Sequence, residues 1–208
     1  MARLTLVVVA VCLACAPIPA PSTQSAAAPV PPGTDTAGLV RAGLGSLRQE
    51  DVALRLQLQG LEVRALPLDE SIIRTLSPDS YRSLHELVAS QREAVSKVER
   101  RTGQRAVSVW YVSFFGTEVG EVRFSPMEMI VTSVGRDFRP LDVVPLTPGF
   151  GAQRLRQRET QSALFIFDGQ IDVNQPLSVQ FETAQNSDWP AVLARVERER
   201  ALIRSRSR

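Results

Sequence analysis

Residues 106–115, AVSVWYVSFF, constrain the fold more than any other stretch. Successive side chains of a strand point to opposite faces, so Trp110 and Phe114 fall on one side and Tyr111 and Phe115 on the other. A strand that is apolar on both sides has to be covered on both. This segment is therefore expected at the centre of a sheet, with further structure packed above and below it.

Shorter segments repeat the pattern. From Val52 to Leu58 the chain alternates, with Leu54, Leu56 and Leu58 against Arg55 and Gln57. After Gly60 the apolar set moves to Leu61 and Val63, so Gly60 is either a bulge or the tip of a hairpin. Val122 to Phe124, Met127 to Val134 and Leu141 to Leu146 read as strands bounded by Gly or Pro, and Ala163 to Phe167 with Leu177 to Phe181 as a final pair. Two segments carry helical spacing instead. Ser77 can cap a helix with Pro78 at its first position and Gly103 past its end, and its apolar stripe is Tyr81, Leu84, Leu87, Val88, Val95 and Val98. A second helix starts near Asp188 with Trp189, Val192, Leu193, Val196 and Ile203 on one face, Trp189 serving as an anchor onto the sheet. The expected fold is α+β and mainly β: a β-sandwich-like or partly open barrel of about seven or eight short strands, with amphipathic helices at about 78–101 and 188–204.

The first 36 residues read differently. Met1-Ala2-Arg3 is a short positive start, and Leu4 to Ala14 is an uncharged apolar run of eleven residues. A membrane-spanning helix needs roughly 20, so 1–14 is read as a signal peptide. Both cysteines, Cys12 and Cys15, lie at its end, and the later chain has none, which excludes disulfides and cysteine chemistry from the domain. Residues 15–36 hold Pro17, Pro19, Pro21, Pro29, Pro31 and Pro32 among small residues. Such a tether extends at about 3.1 Å per residue and reaches roughly 60 Å. Residues 37–208 form a single globular domain.

Leu13-Ala14-Cys15 resembles the lipobox of bacterial lipoproteins, in which a small residue precedes a cysteine that is lipidated and becomes the mature N-terminus. Cys12 stands where that family has an aliphatic residue; the other reading is ordinary signal-peptidase cleavage at Ala14-Cys15-Ala16, with Pro17 just past the cut. The resemblance implies lipidation at Cys15, a membrane anchor through that lipid, and location in the cell envelope, on its periplasmic or its surface face.

Charge narrows the partners. The chain carries 24 basic and 22 acidic residues, and loss of Arg3 leaves a net charge of +1, so attraction to nucleic acid is not expected. Lys97 is the only lysine. Hydrophobic residues at 44% and charged residues at 22% fit a globular domain.

Few residues suggest chemistry. His85, the only histidine, has no ligand or nucleophile partner in sequence and is read as a helix-surface or core-edge residue. Asp168, Asp172 and Asn174 resemble a cation loop but lack its spacing and closing acid, so Asp168-Gly169 is read as a turn. No nucleophile elbow or phosphate loop is present, and no cofactor is expected. Asp69 with Glu70, and Glu118 with Glu121, could be surface charge or paired carboxylates. The six arginines between Arg195 and Arg208 either meet lipid head groups or an acidic partner, or complement the end of the helix. Binding is expected in the long irregular segment from Pro145 to Gln161. There Phe150 sits between glycines, either to project as a contact residue or to plug the core, and Arg154, Arg156 and Arg158 alternate to share a face that grips an anionic group. The resulting expectation is a non-enzymatic envelope protein that binds another protein or envelope component. The alternatives are an envelope hydrolase using carboxylates or a metal, and a structural subunit of an envelope complex.

Overall fold

A computed structural model describes residues 38–207. The signal segment, Cys12, Cys15 and the tether lie outside the described residues. In chain order the elements are α1 (Gln49–Val52), β1 (Leu54–Leu58), β2 (Leu61–Pro67), α2 (Glu70–Ile73), α3 (Pro78–Ser90), α4 (Arg92–Thr102), β3 (Val107–Gly116), β4 (Glu121–Arg123), β5 (Met129–Ser133), β6 (Arg136–Phe138), β7 (Asp142–Pro145), β8 (Arg154–Arg156), β9 (Thr160–Asp168), β10 (Leu177–Phe181), β11 (Ala184–Asn186) and α5 (Trp189–Arg206). Short 3₁₀ turns occupy Pro126–Glu128 and Phe150–Ala152.

The strands form three sheets, ordered β1-β2-β3-β9-β7, β11-β10-β5-β6 and β4-β8, and every pairing is antiparallel. The fold is α+β and mainly β. β4 stands where Val122 to Phe124 was expected; strands outnumber the sequence expectation because β6, β8 and β11 are only three residues long, too short for alternation to register. As the aromatic pattern demanded, β3 is the central strand of five. Trp110 and Phe114 are fully buried on its inner face, while Tyr111 and Phe115 are half-buried on the outer one. Leu58 pairs with Leu61, so Gly60, at φ +73, is the tip of a hairpin rather than a bulge.

The two larger sheets meet face to face, with the ring of Phe114 on β3 5.4 Å from that of Phe181 on β10. At one margin β11 comes beside β1, where the Asn186 side-chain amide donates to the Arg55 carbonyl at 2.9 Å. At the other margin the chain crosses from β6 to β7 within residues 139–141. The strands thus wrap part of the way round one core without closing a barrel. One expectation is corrected here: β9 and β10 do not pair. The connection through 169–176 carries the chain from the first sheet to the second, so β9 bonds β3 and β7 while β10 bonds β5 and β11.

The first predicted helix is also corrected. It starts at Pro78 and stops before Gly103 (φ +68), as its end signals indicated, but it breaks at Gln91 into α3 and α4. The Ser90 hydroxyl donates to the Leu87 carbonyl at 2.7 Å and the Gln91 N–H splits between the Leu87 and Val88 carbonyls, so the regular ladder is interrupted at that turn. The pair lies over the outer face of the five-stranded sheet. Leu84 and Leu87 face Tyr111 and Leu146 across a shallow groove, and Arg101 bonds Asp142 of β7 at 3.0 Å.

The helix α5 closes the other flank. Trp189 is fully buried 6.4 Å from Trp110, and its indole N–H donates to the Val173 carbonyl at 2.9 Å. The arginines of α5 clamp the first part of the domain. Arg200 donates twice to the Ser71 carbonyl, at 3.1 and 2.7 Å, and once to Asn174; Arg195 reaches the Asp51 carbonyl; Arg204 and Arg206 reach the carbonyls of Gly38 and Leu44. Glu199, buried beside them, accepts from the Ser46 N–H and hydroxyl at 2.9 and 3.0 Å. Among the described residues no helix is long and apolar enough to cross a membrane.

The free edge of β7 is chemically blunted. The Val143 N–H is taken by the Asp142 carboxylate at 2.8 Å, and Pro145 has no N–H to offer. The β5–β6 hairpin shows the opposite, an unrelieved strain. Its two-residue turn holds Val134 at φ 50 and Gly135 at φ 72, a type I′ geometry that suits Asn-Gly and penalises a β-branched residue. Val134 is also 70% exposed, so no packing compensates. Val134→Asn is therefore expected to stabilise the domain by about 1 kcal/mol and raise its melting temperature by about 2–4 °C in calorimetry.

Candidate functional site

The segment expected to bind is not a loop. Residues 154–156 become β8 and pair with β4, with Glu121 opposite Arg156, Val122 opposite Leu155 and Arg123 opposite Arg154. Alternation sets the two faces of this ribbon. Leu155 is fully buried and Val122 half-buried on the core side, so Glu121, Arg123, Arg154 and Arg156 all point outward and are exposed. Like charges directly opposite each other in an antiparallel pair are destabilising, yet Arg123 faces Arg154. Arg154 has a loose diagonal contact with Glu121 at 3.7 Å. Among the described residues Arg123 makes no ion pair, whereas Arg156 stands directly opposite Glu121 and its charge helps hold the Glu159 carboxyl down.

The ribbon's floor is rigid. Phe150 is buried, with its ring 5.5 Å from Phe124 and 5.9 Å from Phe114, and Phe114 stacks on Phe124 at 4.4 Å. Of its two sequence readings, Phe150 takes the core plug: it supports the arginines from beneath. Arg158 leaves the shared face, because it sits in the turn after β8 at φ 61 and donates its N–H to the Gly116 carbonyl at 2.8 Å. Its expected place beside Arg154 and Arg156 is filled by Arg123, which sequence reasoning missed. The signal was the match between Glu121-Val122-Arg123 and Arg154-Leu155-Arg156, two short charged-apolar-charged segments that no local rule connects.

Hydrogen bonds fix the turn. Glu159 accepts from the Arg156 N–H and the Gln161 side chain, both at 2.9 Å, and these donors hold its carboxyl below the usual carboxylate range. Gln161 also donates to the Arg154 carbonyl at 3.0 Å; its own carbonyl oxygen, Oε1, is buried without a partner. Gly116 is the hinge pin: a Cβ there would overlap the Arg156 carbonyl oxygen. Gly116→Ala is expected to push β8 off β3 and cost about 2 kcal/mol, read as a lower urea midpoint together with faster proteolysis between 117 and 159.

The remaining candidates resolve into structure. Asp168 accepts from the Gln170 N–H and the Gln104 side chain, and Asp172 from the Asn174 N–H, each at 2.9 Å, so this loop is a pair of side-chain-capped turns. Asn174 serves Arg200. Asp69 caps α2 by accepting from the Ser71 N–H at 2.8 Å. Glu70 is a hub: buried, it accepts from Arg74 Nε at 2.5 Å, His85 Nδ1 at 3.0 Å and the Tyr81 hydroxyl at 3.4 Å. Burial, then the nearby Glu70 charge, pushes the Tyr81 hydroxyl above its ordinary value. Arg74 passes the connection on to the Val40 carbonyl, so the hub ties α2, α3 and the start of the domain together. Glu118 and Glu121 stand at the ribbon end, Glu118 beside Gly60. Among the described residues no three His, Cys, Asp or Glu side chains converge as a metal set.

The groove between α3 and the sheet, about 490 Å³, is lined by Leu84, Leu87, Tyr111 and Leu146 under a rim of uncharged polar groups and Glu86. Compared with protein-family models, with curated proteins and with solved structures, the chain has no match.

Proposed function

We propose that this chain is an exported, lipid-anchored, non-enzymatic envelope protein whose β-rich domain docks onto another envelope component through the β4–β8 ribbon. The observation that carries the reading is the Arg123–Arg154 pair, a like-charge contact that is unfavourable in the free domain and relieved when an anionic group lies between the two. Position supports it. Residues 38–47 are held by α2 and α5, near the Val107 end of β3, whereas the ribbon is attached at Gly116, its other end. The ten residues of β3 separate these ends by about 30 Å. The ribbon thus lies at the opposite end of β3 from the first described residues.

Two measurements test the halves of this reading. Intact mass of the membrane-extracted protein is expected to give a chain beginning at Cys15 with two or three acyl groups; an unmodified N-terminus beyond Ala16 removes the anchor. Cross-linking in intact cells is expected to join the wild-type chain to an envelope component and to lose that product when Arg123, Arg154 and Arg156 are changed to alanine. An unchanged product removes the ribbon from binding.

A further inference from the structure

We propose that the ribbon is a phosphate-binding site, in which Arg123 and Arg154 hold one phosphate group between them and Arg156 supplies a third guanidinium. This rests on the ribbon being the docking surface and adds the chemistry of what docks there.

The register decides the ligand class. Directly opposite residues have their Cβ atoms about 4.5–5.5 Å apart, so the guanidiniums of Arg123 and Arg154 can converge on one anion. A carboxylate has two oxygens, which two facing guanidinium forks would have to share. Two facing forks are matched best by an anion with three free oxygens and a second negative charge, so that neither fork has to share its acceptors, and a phosphate group provides both. Arg156 lies two residues along the same face from Arg154, within reach of a further oxygen. The diagonal Arg154–Glu121 contact of 3.7 Å is longer than a charge-assisted hydrogen bond, so Arg154 is free to turn toward the ligand.

The site is also preorganised where it needs to be. The main chain of Arg154 is held by Gln161 and that of Arg156 by Glu159, and Leu155 is fully buried between them. Only the side chains remain to be ordered on binding, which lowers the entropic cost. A contrast comes from α5, where Arg195, Arg200, Arg204 and Arg206 end on main-chain carbonyls and are consumed in holding the fold. Among the described residues Arg123 and Arg156 have no such bond. The phosphate can be inorganic, or a terminal phosphomonoester carried by a lipid; both present at least three free oxygens and a second ionisation.

The test uses the chain from residue 33 onward, which holds every buried core residue among the described residues, from Val40 to Ile203. Inorganic phosphate is titrated at neutral pH and constant ionic strength while the arginine Nε–H resonances are followed, with acetate as the matched monoanion. The expected result is a saturable shift of Arg123 and Arg154 in phosphate and none in acetate. Arg123→Lys keeps the charge but loses the fork and is expected to weaken binding about tenfold, while Arg158→Ala leaves it unchanged. No saturable shift, an equal shift in acetate, or full affinity in Arg123→Lys overturns the proposal.

Sedimentation with phosphatidic acid, phosphatidylglycerol and phosphatidylcholine vesicles separates the sources. Binding to the first alone, lost in Arg123→Lys, supports a headgroup; saturation by free phosphate without vesicle binding supports a soluble ligand. If phosphate fails to bind while the arginine variants still abolish the cellular cross-link, the phosphate chemistry falls and the docking reading stands. If phosphate binds and the cross-link persists in the variants, the docking reading falls instead.

Discussion

Phe114→Ala is expected to lower the unfolding free energy by about 3–5 kcal/mol, a large share of what a domain of this size possesses. Phe114 is fully buried with four aromatic neighbours: Phe124 at 4.4 Å, Phe181 at 5.4 Å, Phe150 at 5.9 Å and Phe165 at 6.1 Å. These come from β10, β9, the 3₁₀ turn and the segment after β4, so no single movement can fill the space left by the ring. Urea unfolding should show a much lower midpoint with the slope retained. A second readout separates this from a generic core defect: Phe114, Phe124 and Phe150 are the floor of the arginine ribbon, so amide exchange should rise first in residues 117–124 and 150–159. Phe167→Ala, at the Trp110 end of the same core, should cost similar stability and leave those amides protected.

Glu70→Ala is expected to cost about 2–3 kcal/mol, more than a surface carboxylate can. The change strands Arg74 and His85, both partly buried, without the charge that holds them. The Glu62–Arg64 pair is the built-in comparison. It is likewise close, but Arg64 is exposed on the open sheet face, and Glu62→Ala should shift stability by less than about 1 kcal/mol. Thermal unfolding of the two variants side by side checks the contrast. His85→Gln, which keeps a donor near Glu70, should lie between them. Because Arg74 continues to the Val40 carbonyl, losing Glu70 should also release residues 38–47 to proteolysis before the rest of the domain.

How much of this was legible in the sequence depended on the range over which each signal acts. Alternation in 106–115 and in 177–181 located β3 and β10, because burial on a strand leaves a period of two. Pro78 and Gly103 bounded the helical segment, because end chemistry is local. The break at Gln91 was not legible: the stripe runs through it, and only the competition of Ser90 for the Leu87 carbonyl ends α3 there. The partnership of β4 with β8 joins residues some thirty positions apart through three residues each, and no periodicity survives at that length. Arg154 and Arg156 were legible as a shared face, but the residue that completes it, Arg123, depends on register. Gly116 carries no signal of its own in the sequence, because its role comes from the Arg156 backbone approaching from the far side. The arginines of α5 were legible as a basic cluster; that they bind carbonyls of residues 38–71 was not, because a main-chain acceptor leaves no trace in composition.

Those last contacts bear on how the chain comes to be folded. The carbonyls that Arg195, Arg200, Arg204 and Arg206 complete belong to residues 38–51 and Ser71, whereas the arginines themselves follow 129 to 166 residues later in the chain. Until they arrive, the start of the domain lacks its clamp and Trp110 lacks Trp189. The start of the domain is therefore completed only through long-range contacts, the kind that makes closure slow. The clamp works as a timer: the first part of the domain is completed only when α5 docks.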